Sequence, residues 1–306
     1  MTPVIVVVGE ALVDLVVGVD GEVSAAFGGA PFNTARTCGR LCAPVAFMGA
    51  LSDDRFGMAL AARLVGDGVS MDLVQRVGVP TTLAAAELDA AGTATYRFYT
   101  EATSAPALQP AALPAATETL FAGGLGLALE PMAATVVGLV EGVGDDVTVM
   151  VDLNCRPAVI PDRERYIGRV DIVLARADVV KVSDDDLAYL SPGEPTIDAA
   201  RRLLERGPTA VLLTAGGSHV NVLTTGEERL APVEAVDVID TIGAGDAFAG
   251  GFMSWWAASA RRRADLVDIE VLTAAAVAAN CVAGVVCTRR GADPPWRHEL
   301  PADWSG

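Results

Sequence analysis

Short apolar runs rich in β-branched residues alternate with helix-length stretches along more than 200 residues, and this rhythm constrains the chain more than any other feature. Val4–Val8 is an unbroken apolar run, as a strand covered on both faces requires. Strands are predicted again at Val45–Met48, Thr119–Ala122, Val147–Asp152, Val179–Val182 and Ala210–Thr214, and Val220–Thr224 opens a hairpin. Helices are predicted at Asn33–Leu41, Phe56–Leu64, Pro131–Val140, Arg163–Val170, Asp184–Leu190 and Ile197–Arg206. Two closing helices follow at Gly245–Ala260 and Val271–Val286. Strand–helix alternation of this kind produces a parallel sheet with helices on both faces. The expected class is α/β, a three-layer αβα arrangement around a mostly parallel central sheet.

Two early hairpins break the rhythm. Leu15–Val19 and Glu22–Ala26 turn at Asp20-Gly21, and Thr82–Leu88 and Thr93–Tyr99 flank Asp89–Gly92. They are remote from each other in sequence, so together they predict a small discontinuous β layer, about 11–27 and 83–101, serving as a lid or a dimer surface. No repeat, low-complexity tract or Pro/Ser-rich linker divides the chain, which predicts one domain over 1–306. Open edges on a small sheet need covering, which predicts a homodimer formed through the lid.

Charge narrows the partners. Twenty-two Lys and Arg against 39 Asp and Glu leave −17, a field that repels nucleic-acid backbones and anionic membranes. A phosphate-bearing ligand then needs a local device that overrides the global field. The cysteines, Cys38, Cys42, Cys155, Cys281 and Cys287, are odd in number and lack CxxC spacing. They predict neither a disulfide framework nor a zinc site, and fit reduced cytoplasmic thiols. The start, Met1-Thr2-Pro3, lacks the basic region of a signal peptide. Mean hydropathy is +0.41, but the longest uncharged stretch, Val271–Thr288, contains Thr273 and Asn280 and is shorter than the roughly 20 apolar residues of a membrane span. It reads as a buried helix.

The run Asp240-Thr241-Ile242-Gly243-Ala244-Gly245-Asp246 lies between an apolar stretch, Val233–Ile239, read as a strand, and a helix. Strand, glycine-rich turn and helix start is a setting in which backbone N–H groups converge on an anion, whatever the net charge of the protein. Asp246 at the same helix terminus has two readings. It can simply stabilise the positive end of the helix, or it can be a general base beside a phosphoryl acceptor.

The stretch DTIGAGDAFAGGF at Asp240–Phe252 resembles the carboxy-terminal signature of the ribokinase-like (PfkB-type) sugar kinases. Gly28-Gly29-Ala30-Pro31-Phe32-Asn33-Thr34-Ala35 is similar to the amino-terminal signature of the same family. Further matches are Gly9-Glu10 with Asp14, Asp152–Pro157, Lys181–Asp184 and Thr288–Ala292, so the resemblance covers about Val4 to Pro295 and is closest in texture to fructokinases. It implies a ribokinase-like fold with Asp246 as catalytic base and the amides of Gly243, Ala244 and Gly245 as an anion hole. It also implies that Asp14, Gly28, Gly29 and Asn33 read sugar hydroxyls. Without the paired motifs, Asp14 is a turn acid and the glycines a helix-start turn. Arg97 and Arg156 are candidate sugar or phosphate contacts, although Arg97 equally suits a cross-strand surface charge.

The same resemblance implies ATP, Mg²⁺ and a potassium ion as cofactors. Lys181, Ser183, Thr214, Gly216, Gly217 and Asn280 match nucleotide-side positions. Ser183-Asp184-Asp185-Asp186 departs from the family's usual Asn-x-x-Glu, and Asp186 would serve magnesium through a water; the triplet is otherwise a good helix N-terminus. His219 stands where the nucleotide loop usually has a glycine, and Asn280 is otherwise a packing amide. Asp240 and the Ile242 carbonyl, with the segment near Gly291, match a monovalent-cation site. The expected activity is transfer of the γ-phosphoryl group of ATP to a primary hydroxyl of a free sugar, fructose first. Ribose, 2-keto-3-deoxygluconate, a nucleoside and a phosphorylated sugar are alternatives, and so is a non-catalytic sensor on the same scaffold. A Rossmann dehydrogenase is disfavoured, because Val4–Val8 leads into Gly9-Glu10-Ala11 rather than G-x-G-x-x-G.

Overall fold

The computed structural model describes residues 5–89 and 94–304. Strand β1 (Ile5–Val8) is wholly buried and runs through Gly9 into a hairpin of β2 (Leu12–Val17) and β3 (Val23–Gly28). Helix α1 (Ala30–Arg40) then returns the chain to β4 (Val45–Met48), which lies parallel to β1. Short β5 (Ala50–Ser52), helix α2 (Arg55–Gly66) and short β6 (Gln75–Val77) lead to a second hairpin, β7 (Leu83–Leu88) and β8 (Ala94–Tyr99). The alternating run is β9 (Thr119–Gly123), α3 (Met132–Gly142), β10 (Thr148–Asp152), α4 (Arg163–Arg176), β11 (Val179–Ser183), α5 (Asp184–Leu190), α6 (Thr196–Leu204) and β12 (Ala210–Thr214). Antiparallel β13 (His219–Thr224) and β14 (Glu227–Pro232) extend the sheet, and α7 (Ala244–Ala258) and α8 (Ile269–Cys287) close the chain.

The central sheet has the order β14-β13-β12-β11-β10-β9-β1-β4 and is parallel from β12 to β4. Alternation along β1 sends Ile5 and Val7 to one core and Val6 and Val8 to the other. The first core packs α1, α2, α7 and α8, and the second packs α3 to α6. A one-residue slip would exchange the two sets, and each fully buried aliphatic side chain contributes about 1.5–3 kcal/mol. This is the three-layer α/β class expected.

The hairpins form a separate four-stranded sheet, β3-β2-β7-β8, joined by parallel pairing of β2 with β7. Val4, Thr93 and positions 90–92 of the expected second turn lie outside the described residues.

Three expectations change. Val233–Ile239 forms no strand: the sheet already ends at β14, and the Ile239 and Asp240 amides instead donate to the Cys287 carbonyl at the end of α8, at 2.8 and 3.3 Å. The helix expected from Asn33 begins at Ala30, because Gly29 at φ +110° provides the turn before it. Asp268 accepts from the Glu270 and Val271 amides and so starts α8 two residues earlier than its apolar pattern. At 19 residues α8 is long and apolar enough to cross a membrane, yet Leu272, Ala275, Ala276, Ala279, Val282 and Val286 are buried in the first core.

Candidate active site

Helix α7 starts on Gly243, which adopts φ +79°. A side chain there would meet Ala292 Cβ at 2.4 Å, so both conformation and space require glycine. Of the three amides expected in the anion hole, that of Ala244 closes a turn on the Thr241 carbonyl at 3.2 Å. The Gly245 position lies close against Lys181: a Cβ there would sit 3.1 Å from its Nζ. The start of the helix therefore offers amide groups, the positive end of the dipole and a full cation at one point. This matches the local device that a chain of charge −17 would need to hold a phosphoryl group.

Lys181 lies on β11 directly opposite Asp152 of β10, and its ammonium binds Asp152 Oδ2 at 2.8 Å with both side chains buried. Burial disfavours the ammonium, but Asp152, Asp186 and Asp246 outweigh it and hold the Lys181 pKa above its ordinary value. One turn into α7, Asp246 is 8% exposed and accepts a 2.9 Å hydrogen bond from Asn33 Nδ2 of α1. Burial, with Asp152 nearby, pushes the Asp246 carboxyl up to about 6, although the Asn33 hydrogen bond, Lys181 and Arg156 oppose it.

Asp14 comes from β2 of the small sheet, and burial pushes its carboxyl up to about 6 against the pull of Arg156. A side chain on Gly28 would meet Asp14 Oδ2 at 2.6 Å, and one on Gly29 would meet the Glu10 carbonyl at 2.8 Å. The two glycines thus let the strand and helix close around Asp14 and Glu10. Arg156 follows Asn154, which takes a left-handed φ of +37°, at the carboxyl end of β10. Its charge opposes the burial that raises the pKa values of Glu10, Asp14, Asp152 and Asp246.

This electrostatics predicts a pH profile. If Asp246 is the base, it must be ionised to accept a proton, and with its pKa raised to about 6 kcat/KM is expected to fall as pH drops through about 6. Arg156→Ala removes a charge that holds that pKa down, and the acid limb then moves to higher pH. A limb unmoved in Arg156→Ala, measured by pH–rate profiles, would disconnect the guanidinium from the base.

Several expected residues serve otherwise. Arg97 pairs with Ala85 and Asp14 with Ala84 across adjacent strands, so they point to opposite faces of the small sheet. Arg97 ion-pairs with exposed Glu87 at 2.9 Å and does not reach the site. Asp186 is 4% exposed: Oδ1 accepts from the Cys155 amide at 2.6 Å, and Oδ2 from the Ser183 amide and hydroxyl at 2.9 and 2.7 Å. It ties the Arg156 loop to β11. Ser183 caps α5 in the same box. Asn280 donates to the Ala231 and Pro232 carbonyls at 3.4 and 2.9 Å, joining α8 to β14. Thr214 ends β12 with its hydroxyl on the Val182 carbonyl, and Gly216 and Gly217 form the open turn into β13. His219 belongs to β13, opposite Pro232.

Glu10 acquires a place that its motif match did not assign. It is 2% exposed; Oε1 accepts from the Ala30 amide at 3.1 Å, and Oε2 has no partner. Burial pushes its carboxyl up to about 7. Asn33 Oδ1 and Asp152 Oδ1 are also buried and unpartnered. The signal for Glu10 in the sequence is an acid directly after a fully apolar strand. Because its folded pKa is raised from 4.5 to about 7, the stability it adds is complete below pH 4.5 and lost as pH rises through about 7. At about 1.4 kcal/mol per tenfold change, the loss is about 3 kcal/mol. Glu10→Gln is expected to unfold at higher denaturant than the parent at pH 8 and not at pH 4.5; equal curves at both pH values would refute a buried, reluctant carboxylate.

Among the described residues no group of three or more His, Cys, Asp or Glu side chains forms a metal cage. Asp186, tied to the Cys155 amide and to Ser183, would then serve Mg²⁺ only through a water, as the sequence suggests. The monovalent site fits better. Asp240 bridges two loops, accepting from the Ile242 amide at 3.0 Å and the Gly291 amide at 2.8 Å, so each oxygen retains a lone pair beside Gly243.

A three-layer α/β fold with a cationic amide cradle at a helix terminus, facing a buried carboxylate, defines a ribokinase-like phosphotransferase. Residues 3–299 match the pfkB family carbohydrate kinases, and the chain belongs to that family. It is 33% identical to a fructokinase of Rhizobium leguminosarum bv. trifolii over 254 residues, 80% of this chain and 77% of that protein. It is 32% identical to a fructokinase of Klebsiella pneumoniae over 261 residues, 82% and 84% of the two chains. The crystal structure of a fructokinase with bound ATP from Xylella fastidiosa superposes with a TM-score of 0.87 at 26% identity, covering 97% of this chain and 94% of that one.

Proposed function

We propose that this carbohydrate kinase transfers the γ-phosphoryl group of ATP to a primary hydroxyl of a free sugar, with fructose the first substrate to test. The observation that carries the reading is Asp246, buried and held by Asn33, one turn into the helix whose start is flanked by Lys181. The fructokinase relatives and the ATP held by the Xylella protein support it.

Asp14, Gly28, Gly29, Asn33 and Arg156 would hold the sugar. As the sugar oxygen bonds to the γ-phosphorus and the bond to the β-phosphate oxygen breaks, Asp246 accepts the hydroxyl proton and ADP leaves. A carboxylate with a pKa of about 6 cannot ionise an alcohol beforehand, so proton transfer comes late. The Gly243–Gly245 turn and Lys181 would stabilise charge on the moving phosphoryl group. Mg²⁺ would neutralise nucleotide phosphates and arrive with them, held mainly by phosphate and water. A potassium ion would be held by Asp240 and the Ile242 carbonyl. Thr214, Gly216, Gly217 and the Asn280 helix border the nucleotide side.

An acceptor that already carries a phosphate is disfavoured. With Arg97 on the other face and Lys181 paired with Asp152, Arg156 is left to offset the charge of Glu10, Asp14 and Asp246. The small sheet, about 11–27 and 83–101, would act as a lid of the single domain, limiting wasteful hydrolysis by excluding water. It exposes Val19, Val23, Tyr96 and Tyr99, which suits a homodimer through the lid; light scattering that returns the monomer mass at micromolar concentration would remove that part. A cytoplasmic location suits ATP as donor. The test of the reaction is ADP release across a panel of free sugars. Release with fructose or another free sugar supports it, whereas sugar binding without ATP-dependent product would favour a sensor.

A further inference from the structure

Four charged side chains outside the site, Arg36, Arg40, Asp67 and Asp293, form a largely buried network between α1 and the loop behind Gly243. Asp67, at the carboxyl end of α2, is 6% exposed, and its position at the negative end of a helix is unfavourable for an acid alone. Two guanidiniums one helical turn apart compensate it: Arg36 Nε donates to Oδ2 at 2.6 Å and Arg40 Nε to Oδ1 at 2.8 Å.

Each arginine then reaches further. Arg36 donates to the Ala292 carbonyl at 3.1 Å, and Arg40 to Asp293 Oδ1 and the Pro294 carbonyl, both at 2.6 Å. Arg40 also lies over the Trp296 ring, 5.0 Å from its centre. From the other side Asp240 holds the Gly291 amide. Between these grips stands Ala292, whose Cβ occupies the space that a side chain on Gly243 would need.

We infer that the Arg36–Asp67–Arg40 clamp is a positioning device: it sets loop 291–294 against Gly243 and so aligns the amides and cation-binding oxygens that face the transferred phosphoryl group. The clamp is anchored on α1, the helix that also presents Asn33 to Asp246. One rigid helix therefore fixes the acceptor side and the phosphate side relative to each other. Nothing in the clamp touches substrate, and its expected signature is on turnover rather than on sugar affinity.

The inference rests on the proposed kinase reaction, and the test separates the two. Wild type must first phosphorylate a free sugar; if it phosphorylates none, the reaction itself is at fault. Arg36→Met and Arg36→Lys are then compared, since lysine keeps the charge but cannot bind Asp67 and the Ala292 carbonyl as a planar fork. Expected are a kcat lower by at least about tenfold in both, a sugar KM within about twofold, and a higher potassium concentration for half-activation. Amide hydrogen exchange, which needs no activity, should speed up in segments 240–248 and 288–296 and not in α3 or α4. Arg263→Ala, which removes an ion pair with Asp178 at the opposite end of the sheet, controls for a general loss of stability. Unchanged kcat in folded Arg36→Met, or exchange that rises equally in Arg263→Ala, would overturn the inference.

Discussion

Asp246→Asn is expected to lower kcat by about a thousandfold while sugar affinity, read by calorimetry, changes less than about tenfold. The substitution keeps volume, and its amide oxygen can still accept from Asn33 Nδ2, so the contact between α1 and α7 survives. What disappears is the only proton acceptor placed one turn inside the anion-binding helix terminus. General bases contribute about 10²–10⁴ in rate, and a thousandfold loss lies within that range. The fold should not suffer. Burial raises the Asp246 pKa to about 6, so above that pH the parent carries a penalised charge that asparagine lacks. A kcat within a few-fold of wild type would remove Asp246 from the role of base.

Lys181→Met should cost more in stability than any other single change in the site, about 3–5 kcal/mol, because it leaves Asp152 buried without its cation. Asp152 Oδ1 already lacks a partner, so the carboxylate has little local compensation left. Activity should fall as well, by about a hundredfold or more, since the ammonium stands at the Gly245 turn where the proposed reaction would develop phosphoryl charge. The pair Lys181→Met with Asp152→Leu separates the two effects. Removing both charges at register-matched positions of β10 and β11 should restore the denaturation midpoint without restoring kcat. If the double variant recovers turnover, Lys181 is structural only; if the single variant is as stable as the parent, the buried pair is not what holds these strands' ends together.

Strand runs such as Val179–Val182, with their two-sided apolar pattern, were legible because burial on both faces leaves only one arrangement for a β-branched run. The glycine turn at Gly243 was legible because a left-handed turn with no room for a side chain requires glycine, whereas Asp246 kept two readings and it was the paired motifs that favoured the base. Val233–Ile239 misled, since an apolar run reads as a strand whether or not a sheet edge is available to receive it. Asp186 kept two readings, because an acid at the start of a helix looks alike whether it caps, as it does here with Ser183, or serves a metal.

By itself, the sequence determined the layered α/β class, the glycine turn and the acid behind it, because periodicity and glycine requirements are local and act through single residues. Only the tertiary structure decided which charges meet. Sheet register puts Lys181 on Asp152, and strand alternation turns Arg97 away from Asp14. Helix packing brings Asn33 to Asp246 across 213 residues and Arg36 to Ala292 across 256. Electrostatic roles depend on distance and burial, which residues remote in the chain acquire only when the layers close.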